Sequence, residues 1–169
     1  MMPINTAIDE FSVLQNKVFQ PLGIACSASI DEPESREYMA SSFAFNKKHV
    51  QYRCSKITPT KVGQFVTLWK RDAPDQEIRP YNTNDKLDVA IICARQGQKL
   101  GYFIFPLSTL TQQGIVQKEK AGKRGFRVYP TWDQPTSKQA LKTQQWQKNY
   151  FVELNEDHEI NIEHISNIL

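Results

Sequence analysis

The sequence predicts an α/β protein in which a mixed β-sheet is flanked by helices. Segments with the apolar spacing of helices alternate along the chain with segments that have the period-two pattern of strands. One strand-like segment, residues 87–94, is apolar on both faces, which is typical of the central strand of a covered sheet. The chain has 169 residues, too few for two full-sized domains, so we expect one domain over residues 1–169.

Helices are expected near both ends of the chain and between two of the strands. Residues 4–19 place apolar side chains at intervals of three and four, and Pro21 ends this first helix. A short helix is expected over residues 108–114 and a longer one over residues 136–151. In the acidic tail after residue 153, isoleucines at helical spacing indicate a last helix.

Six segments between these helices have the patterns of strands, namely residues 41–46, 49–57, 63–71, 87–94, 100–105 and 126–130. In the second segment, the apolar Val50 and Tyr52 share one face, and Arg53 lies on the other. The sequence QGQK joins the fourth and fifth segments by a tight turn, which predicts a hairpin. We therefore expect the fourth segment at the centre of the sheet, paired with the fifth.

The composition excludes several classes of protein. The longest nearly apolar run, LGYFIFPL, is far too short to cross a bilayer, and the first residues lack the basic and apolar regions of a signal peptide. The three cysteines, Cys26, Cys54 and Cys93, are widely spaced and form no CxxC, which argues against a disulfide framework or a zinc ribbon. No two histidines have the i, i+4 spacing of a helical zinc site. We expect a cytoplasmic protein with no membrane partner and no bound cofactor.

Charge is distributed along the chain in blocks. The net charge is +3, but residues 46–71 hold seven basic residues and no acidic one, and residues 118–148 hold eight basic residues against two acidic ones. Both ends of the chain are acidic. Runs of charge are often only solvated surface. Both basic segments also contain aromatic and amide side chains, as nucleic-acid grooves do, so we expect them to share one surface for a polyanion, with the acidic ends kept away from it.

The candidate nucleic-acid ligands come from these two basic segments. In the first, Pro59 fixes a turn between two strand-like runs whose ends carry the bases. In the second, Lys123 and Arg124 lie between two glycines, where the loop can offer charge and backbone N–H groups to a phosphate but lacks the spacing of a P-loop. Ordinary turn geometry would need the same glycines. The candidates are Lys56, Lys61, Gln64, Lys70, Arg71, Lys123, Arg124, Arg127, Lys138 and Lys142.

Three longer motifs carry a resemblance to a known family. They are KITPTKVGQFVTLWKR at residues 56–71, LGYFIFP at residues 100–106 and GKRGFRVYPTWDQPTSKQALKTQQWQKNYF at residues 122–151. Together they resemble the MepB family of small bacterial proteins, over residues 37–151. The resemblance implies a fold similar to the restriction-endonuclease group, the PD-(D/E)XK nucleases, and nucleic-acid binding with no settled biochemical activity. Leu107 departs from the family pattern, in which we expect a lysine after FIFP.

A PD-(D/E)XK nuclease needs carboxylates that hold a divalent ion and a lysine that orients or activates the attacking water. No Asp or Glu in this chain has a lysine two residues later, and the strand expected over residues 100–105 contains no carboxylate. Glu37, Asp88 and Lys56 remain as candidates for a migrated catalytic site, with Glu37 and Asp88 as its metal ligands. The favoured alternative is that Asp88 is a strand-entry carboxylate and Glu37 a solvent-exposed acid.

The sequence therefore predicts a nucleic-acid-binding protein on a nuclease-like scaffold that does not cleave efficiently. Its partner is expected to be DNA or RNA. Two alternatives stay open: a metal-dependent nuclease, which alone would require magnesium or manganese, and a basic surface for an acidic protein or a small molecule. Signatures of homeodomains, zinc fingers, RRM and KH domains are absent, so the sequence does not distinguish DNA from RNA.

Overall fold

A computed structural model describes residues 9–154 and 162–169 of the chain. Within these ranges, nine strands form two sheets and four α-helices lie around them. The strands are β1 (Ile30–Asp31), β2 (Ser41–Phe45), β3 (Lys48–Cys54), β4 (Lys56–Ile57), β5 (Gln64–Thr67), β6 (Val89–Gln96), β7 (Lys99–Pro106), β8 (Gly125–Val128) and β9 (Phe151–Leu154). The helices are α1 (Glu10–Val13), α2 (Leu107–Gln112), α3 (Lys138–Gln147) and α4 (Ile162–Ile168). None of these helices is long and apolar enough to span a membrane.

The first helical segment is less regular than predicted. Asp9 caps α1, because its side chain accepts a hydrogen bond from the backbone N–H of Phe11 at 3.1 Å. After α1 the chain continues as a π-helix, Leu14–Phe19, and then as a 3-10 helix, Gln20–Leu22. Residues 4–8 of the predicted helix lie outside the described residues.

The larger sheet has the strand order β1-β2-β3-β6-β7-β9. β3 and β6 run parallel and every other neighbouring pair is antiparallel, so the sheet is mixed but mostly antiparallel. β6 lies between β3 and β7, forms the predicted hairpin with β7, and is buried over most of its length. The prediction of a central strand over residues 87–94 is therefore confirmed.

Each face of the larger sheet has its own hydrophobic core. On one face, the N-terminal helical segment and α4 pack against side chains that include Tyr52 and Ile91. On the other face, Ile92 and Phe105 pack against apolar side chains of α2, α3, β5 and β8. Helices thus flank both faces of the sheet, as the sequence predicts.

β4, β5 and β8 form a separate antiparallel sheet of three strands. The sequence identifies strand-like segments here, but the expectation that they join one common sheet is wrong. Val66 and Val128 point inward from the small sheet, are fully buried, and belong to the core on the second face of the larger sheet. The small sheet is a second layer, because the apolar face of β6 needs a covering surface and the alternating strands supply one.

α3 has the predicted division into a packed side and an exposed side. Ser137 caps it, because its side chain accepts a hydrogen bond from the backbone N–H three residues later at 3.1 Å. The ring of Trp146 packs against Phe105, with centroids 5.5 Å apart. Lys138 and Lys142 lie on the exposed side.

Candidate nucleic-acid interface

The outer face of the small sheet carries three side chains in a row. Lys56 of β4 is paired with Phe65 of β5, and Phe65 is paired with Arg127 of β8. Directly paired residues of antiparallel strands share a face, so an aromatic residue lies between two basic ones. Nucleic-acid grooves use the same combination of groups, the ring for bases and the cations for phosphates.

Packing fixes the ring of Phe65 in this row. A Cβ atom on Gly125 would lie 2.6 Å from the Cζ of Phe65, so the ring needs a glycine on the neighbouring strand. Tyr38 meets the same ring at an angle of 67°, with centroids 6.5 Å apart. The Nζ of Lys56 in turn lies 4.8 Å from the centroid of Tyr38.

Arg127 ties the two basic segments together. Its guanidinium donates to the Oγ1 of Thr58 at 2.7 Å and to two backbone carbonyls of the loop before β5, at 3.1 and 3.2 Å. These bonds hold the loop that carries Lys61 against β8. The two basic segments therefore meet at the small sheet, as expected from the charge pattern.

A cavity of about 400 Å³ opens beside this row. Lys123 and Arg127 line it from the strand side, and Gln139 and Thr143 line it from α3. No acidic residue in the described part of the chain lines this cavity. The surroundings therefore suit a ligand that carries negative charge.

Six of the nine charged candidates for nucleic-acid binding have no ion pair within the described ranges. They are Lys61, Lys123, Arg124, Arg127, Lys138 and Lys142, which we call the basic surface. Arg127 is half-buried and uses its donors inside the protein, whereas the other five are exposed. The basic surface thus offers exposed cations on α3 and on the loops next to the small sheet.

One acidic side chain of the second basic segment, Asp133, is half-buried in the turn before α3. Burial raises the pKa of its carboxyl above the usual value, although Lys99 and Arg127 act in the opposite direction.

Acidic side chains neutralise the remaining charged candidates. The ion pairs are Lys56–Glu37 at 2.9 Å, Arg71–Glu34 at 3.1 Å and Lys70–Asp85 at 3.3 Å. The first two pairs form because a 3-10 helix, Pro33–Tyr38, packs against β5 through its last ring. The expectation that the acidic N-terminal segment stays away from the bases is wrong for this helix.

Gln64 is a structural residue, which corrects its assignment as a nucleic-acid ligand. Its side chain is buried, with 1% of the residue surface exposed. The amide oxygen accepts a hydrogen bond from Ser55 at 2.7 Å, and the amide nitrogen donates to the backbone carbonyl of Arg95 at 3.2 Å. Both ends of the amide are thus satisfied inside the protein, and they link the small sheet to the larger one.

The structure separates the three catalytic candidates. Glu37 and Lys56 form an exposed ion pair beyond the C-terminal end of β3. Asp88 lies at the opposite end, where it accepts a hydrogen bond from the backbone N–H of His49 at 2.7 Å. Five residue steps along β3 separate His49 from Cys54, which corresponds to about 17 Å. Glu37 and Asp88 cannot bind one metal ion across that distance.

The sequence patterns do not single out Phe65 or the cavity residue Thr143, and Gln139 looks there like an ordinary surface glutamine. The role of Phe65 depends on pairing with two strands that are distant in sequence, which no local pattern reveals. The isolated Gly125 at the start of a strand is a usable signal, because such a glycine often marks a close approach of another group.

The fold and this surface define a class of protein. It is an α/β protein in which a mostly antiparallel mixed sheet is covered on one face by a small antiparallel sheet whose outer face carries Phe65 between Lys56 and Arg127. Over the two described ranges, no group of three or more His, Cys, Asp or Glu side chains could hold a metal ion.

Comparison with known proteins identifies the family. The MepB-like family model matches residues 32–153, so the chain belongs to the MepB-like family, as its three motifs indicate. The chain is also similar to the protein in the crystal structure of MepB, with 36% sequence identity and a TM-score of 0.73, over 78% of this chain and 88% of that chain. No curated protein matches the chain. The residues that match the family model include strands β2 to β8 and the whole basic surface.

Proposed function

We propose that this protein binds nucleic acid through the basic surface and does not cleave it efficiently. The observation that carries the proposal is the pairing of β4, β5 and β8, which places Phe65 between Lys56 and Arg127, beside a cavity that Lys123 and Arg127 line and that no acidic residue of the described ranges lines. Cations on loops and a helix can follow a phosphate backbone, and an aromatic ring near them can contact bases.

An acidic protein partner is a weaker explanation of the same surface. Protein interfaces are enriched in aromatic and arginine side chains and depleted in lysine. Four of the six bases here are lysines, on loops and on α3, where long side chains can reach phosphates at several spacings. The composition of the surface therefore favours a polymer with regularly repeated charge.

The proposal of binding without efficient cleavage follows from the carboxylates. Metal-assisted hydrolysis needs carboxylates that converge on an ion. Glu37 is engaged by Lys56, and Asp88 lies at the other end of β3 and β6.

We extend the proposal to the scaffold: a sheet with a central β6 and helices on both faces is compatible with a degenerate restriction-endonuclease-like fold. A nucleic-acid partner would place the protein in the cytoplasm.

Equilibrium binding to labelled oligonucleotides tests the proposal. We expect fluorescence anisotropy to rise with protein concentration for single- or double-stranded DNA or RNA at low salt. Lys142→Ala should weaken this binding for all sequences, whereas Lys17→Ala, an exposed lysine on the N-terminal helical segment, should leave it unchanged. Equal effects of the two substitutions would mean that the basic surface is not the binding site.

A cleavage assay separates binding from hydrolysis. Plasmid and linear DNA, and a labelled RNA, are incubated with the protein in magnesium and in manganese, and we expect no fragments. If fragments form, and Asp88→Asn or Glu37→Gln abolishes them, the protein is a nuclease with a migrated active site.

A further inference from the structure

A second cavity, of about 500 Å³, lies between the end of β3 and the loop that joins β5 to β6. It shares no lining residue with the cavity beside the basic surface. Its wall includes one charged side chain that is almost completely buried, Arg53 of β3, with 2% of its surface exposed. Cavities of about 300–1,000 Å³ with a few polar groups are typical of small-molecule sites.

The guanidinium of Arg53 is only partly satisfied by the protein. Its Nη1 donates to the Oε1 of Gln51 at 3.1 Å and to the backbone carbonyl of Tyr52 at 2.9 Å. Its Nε is buried and has no hydrogen-bond partner among the described residues. No ion pair to Arg53 forms within those residues either. A buried cation without a counter-ion is costly, because burial removes it from water.

The position of β3 inside the sheet keeps the Arg53 side chain from moving into water, so the cost of its burial remains. Its strand is paired on one side with β2 and on the other with β6, where Ile92 is the direct partner. Burial lowers the pKa of the guanidinium, and the neighbouring Tyr81 and Glu32 act in the opposite direction. An arginine stays protonated in proteins nonetheless, so the cavity contains a fixed positive charge.

Further basic side chains lie around the cavity. Lys86 is exposed and has no ion pair in the described part of the chain, and Lys70 and Arg71 line the wall. The Cζ of Arg71 lies 5.9 Å from the ring centroid of Trp69, a second aromatic residue of the wall. The cavity therefore combines cations with a flat aromatic surface.

Acidic residues also line this cavity, and two of the three are engaged. Asp85 is held by Arg79 through two hydrogen bonds, at 2.8 and 2.9 Å. Glu34 is held by Arg71. The third, Glu32, is half-buried and acts on Arg53 only through its charge. Glu32 is thus the one acid of the wall left without an ion pair in the described ranges, and the charges of Arg53 and Lys86 outweigh it, which leaves room for an anion.

We propose that this cavity binds the phosphate monoester of a nucleotide, either as a free mononucleotide or as the 5′ end of a strand. The phosphate accepts hydrogen bonds from Arg53, and the amide of Gln51, whose oxygen is occupied by Arg53, has its N–H groups left to donate. Lys86 adds a second charge, and the base packs against Trp69. The size of the cavity favours a nucleotide over inorganic phosphate. The proposal goes beyond polymer binding, since it uses none of the basic surface.

Isothermal titration calorimetry with adenosine 5′-monophosphate, adenosine and inorganic phosphate tests the proposal for the free ligand. Anisotropy with oligonucleotides that carry a 5′-phosphate or a 5′-hydroxyl tests it for a strand end. We expect a preference of about tenfold or more for the phosphorylated member in at least one of the two comparisons. If neither comparison shows a preference, the proposal is overturned.

Three variants connect such a preference to this cavity. Arg53→Met should abolish it and raise the melting temperature, because an apolar side chain removes the cost of a buried charge. Lys86→Ala, at an exposed position where folding is not at risk, should reduce it severalfold, and Lys17→Ala should not change it. A preference that survives both Arg53→Met and Lys86→Ala would contradict the proposal. Oligonucleotide binding through the basic surface, which depends on Lys142, would persist even if this cavity bound no phosphate. The two proposals therefore fail separately.

Discussion

At the scale of single residues, two neighbouring arginines have different roles. The guanidinium of Arg127 donates hydrogen bonds to Thr58 and to the loop before β5. Arg124, in contrast, is exposed and has no ion pair in the described ranges. Arg127→Ala should lower the free energy of unfolding by about 1–3 kcal/mol and also weaken oligonucleotide binding, because it releases the loop. Arg124→Ala should weaken binding only, with a change in stability within about 0.5 kcal/mol.

Urea denaturation and anisotropy on both arginine variants check this difference. Gln64→Leu is the matched control, because it should destabilise the protein without removing a charge from the basic surface. Equal stability of the Arg124→Ala and Arg127→Ala variants would show that the hydrogen bonds of Arg127 contribute nothing.

A second residue-scale prediction concerns acid. The Arg79 guanidinium, with further help from the Asn82 N–H and Lys70, holds the pKa of the Asp85 carboxyl well below its usual range. Because the folded-state pKa is lower than that of the unfolded chain, the pair stabilises the protein above about pH 4 and loses this effect as the pH falls below it. Unfolding free energies measured in urea should therefore fall less steeply with acid in Asp85→Asn than in the natural protein. Parallel curves would contradict the role of the pair.

At the scale of elements, the contact between β7 and β9 depends on one glycine. The ring of Phe151 lies on Gly101, where an added Cβ would meet the ring and approach the carbonyl oxygen of Val152 to 3.0 Å. Gly101→Ala should lower the free energy of unfolding by about 1–3 kcal/mol, since Phe151 must leave its place in the core. A melting temperature within one degree of the natural protein would mean that the ring moves at no cost.

The sequence predicts the elements better than their arrangement. The two-faced apolar pattern of β6 and its turn into β7 are local, and both predictions are confirmed. The assignment of β5 and β8 to a second sheet is not local, because period two describes a strand without specifying its partner. Arg53 is a second example. The alternating pattern of β3 places Arg53 on the opposite face from Tyr52, but its burial depends on the layer that covers that face, which the local pattern does not reveal.

The sequence likewise predicts the basic residues of the candidate site better than their arrangement. The blocks of basic residues are visible in the sequence, and pairing of β5 with β8 brings them together. The acidic partners of Lys56 and Arg71 come from the 3-10 helix Pro33–Tyr38, whose docking on β5 depends on a contact between Tyr38 and Phe65. Charge blocks alone therefore overstate the number of bases that a ligand can reach.

At the scale of the whole molecule, charge is organised into two regions with different chemistry. The basic surface has several exposed cations on loops and α3, which suits a long polyanion. The cavity at Arg53 is lined by β3, the 3-10 helix Pro33–Tyr38 and the loop before β6, and its buried charge suits one phosphate group. The small sheet joins the two regions, because its outer face carries part of the basic surface and Trp69 follows β5 into the second cavity.

The salt dependence of oligonucleotide binding tests the central proposal most directly. The affinity should be measured by fluorescence anisotropy at several salt concentrations for the natural protein and for a variant with Lys123, Arg124 and Lys142 changed to Ala. We expect the logarithm of the affinity to fall linearly with the logarithm of salt concentration, and the triple variant to flatten that slope by up to about two to three units. Lys17→Ala should keep the natural slope. A steep slope that is the same in the natural protein and the triple variant would contradict the basic surface as the nucleic-acid interface.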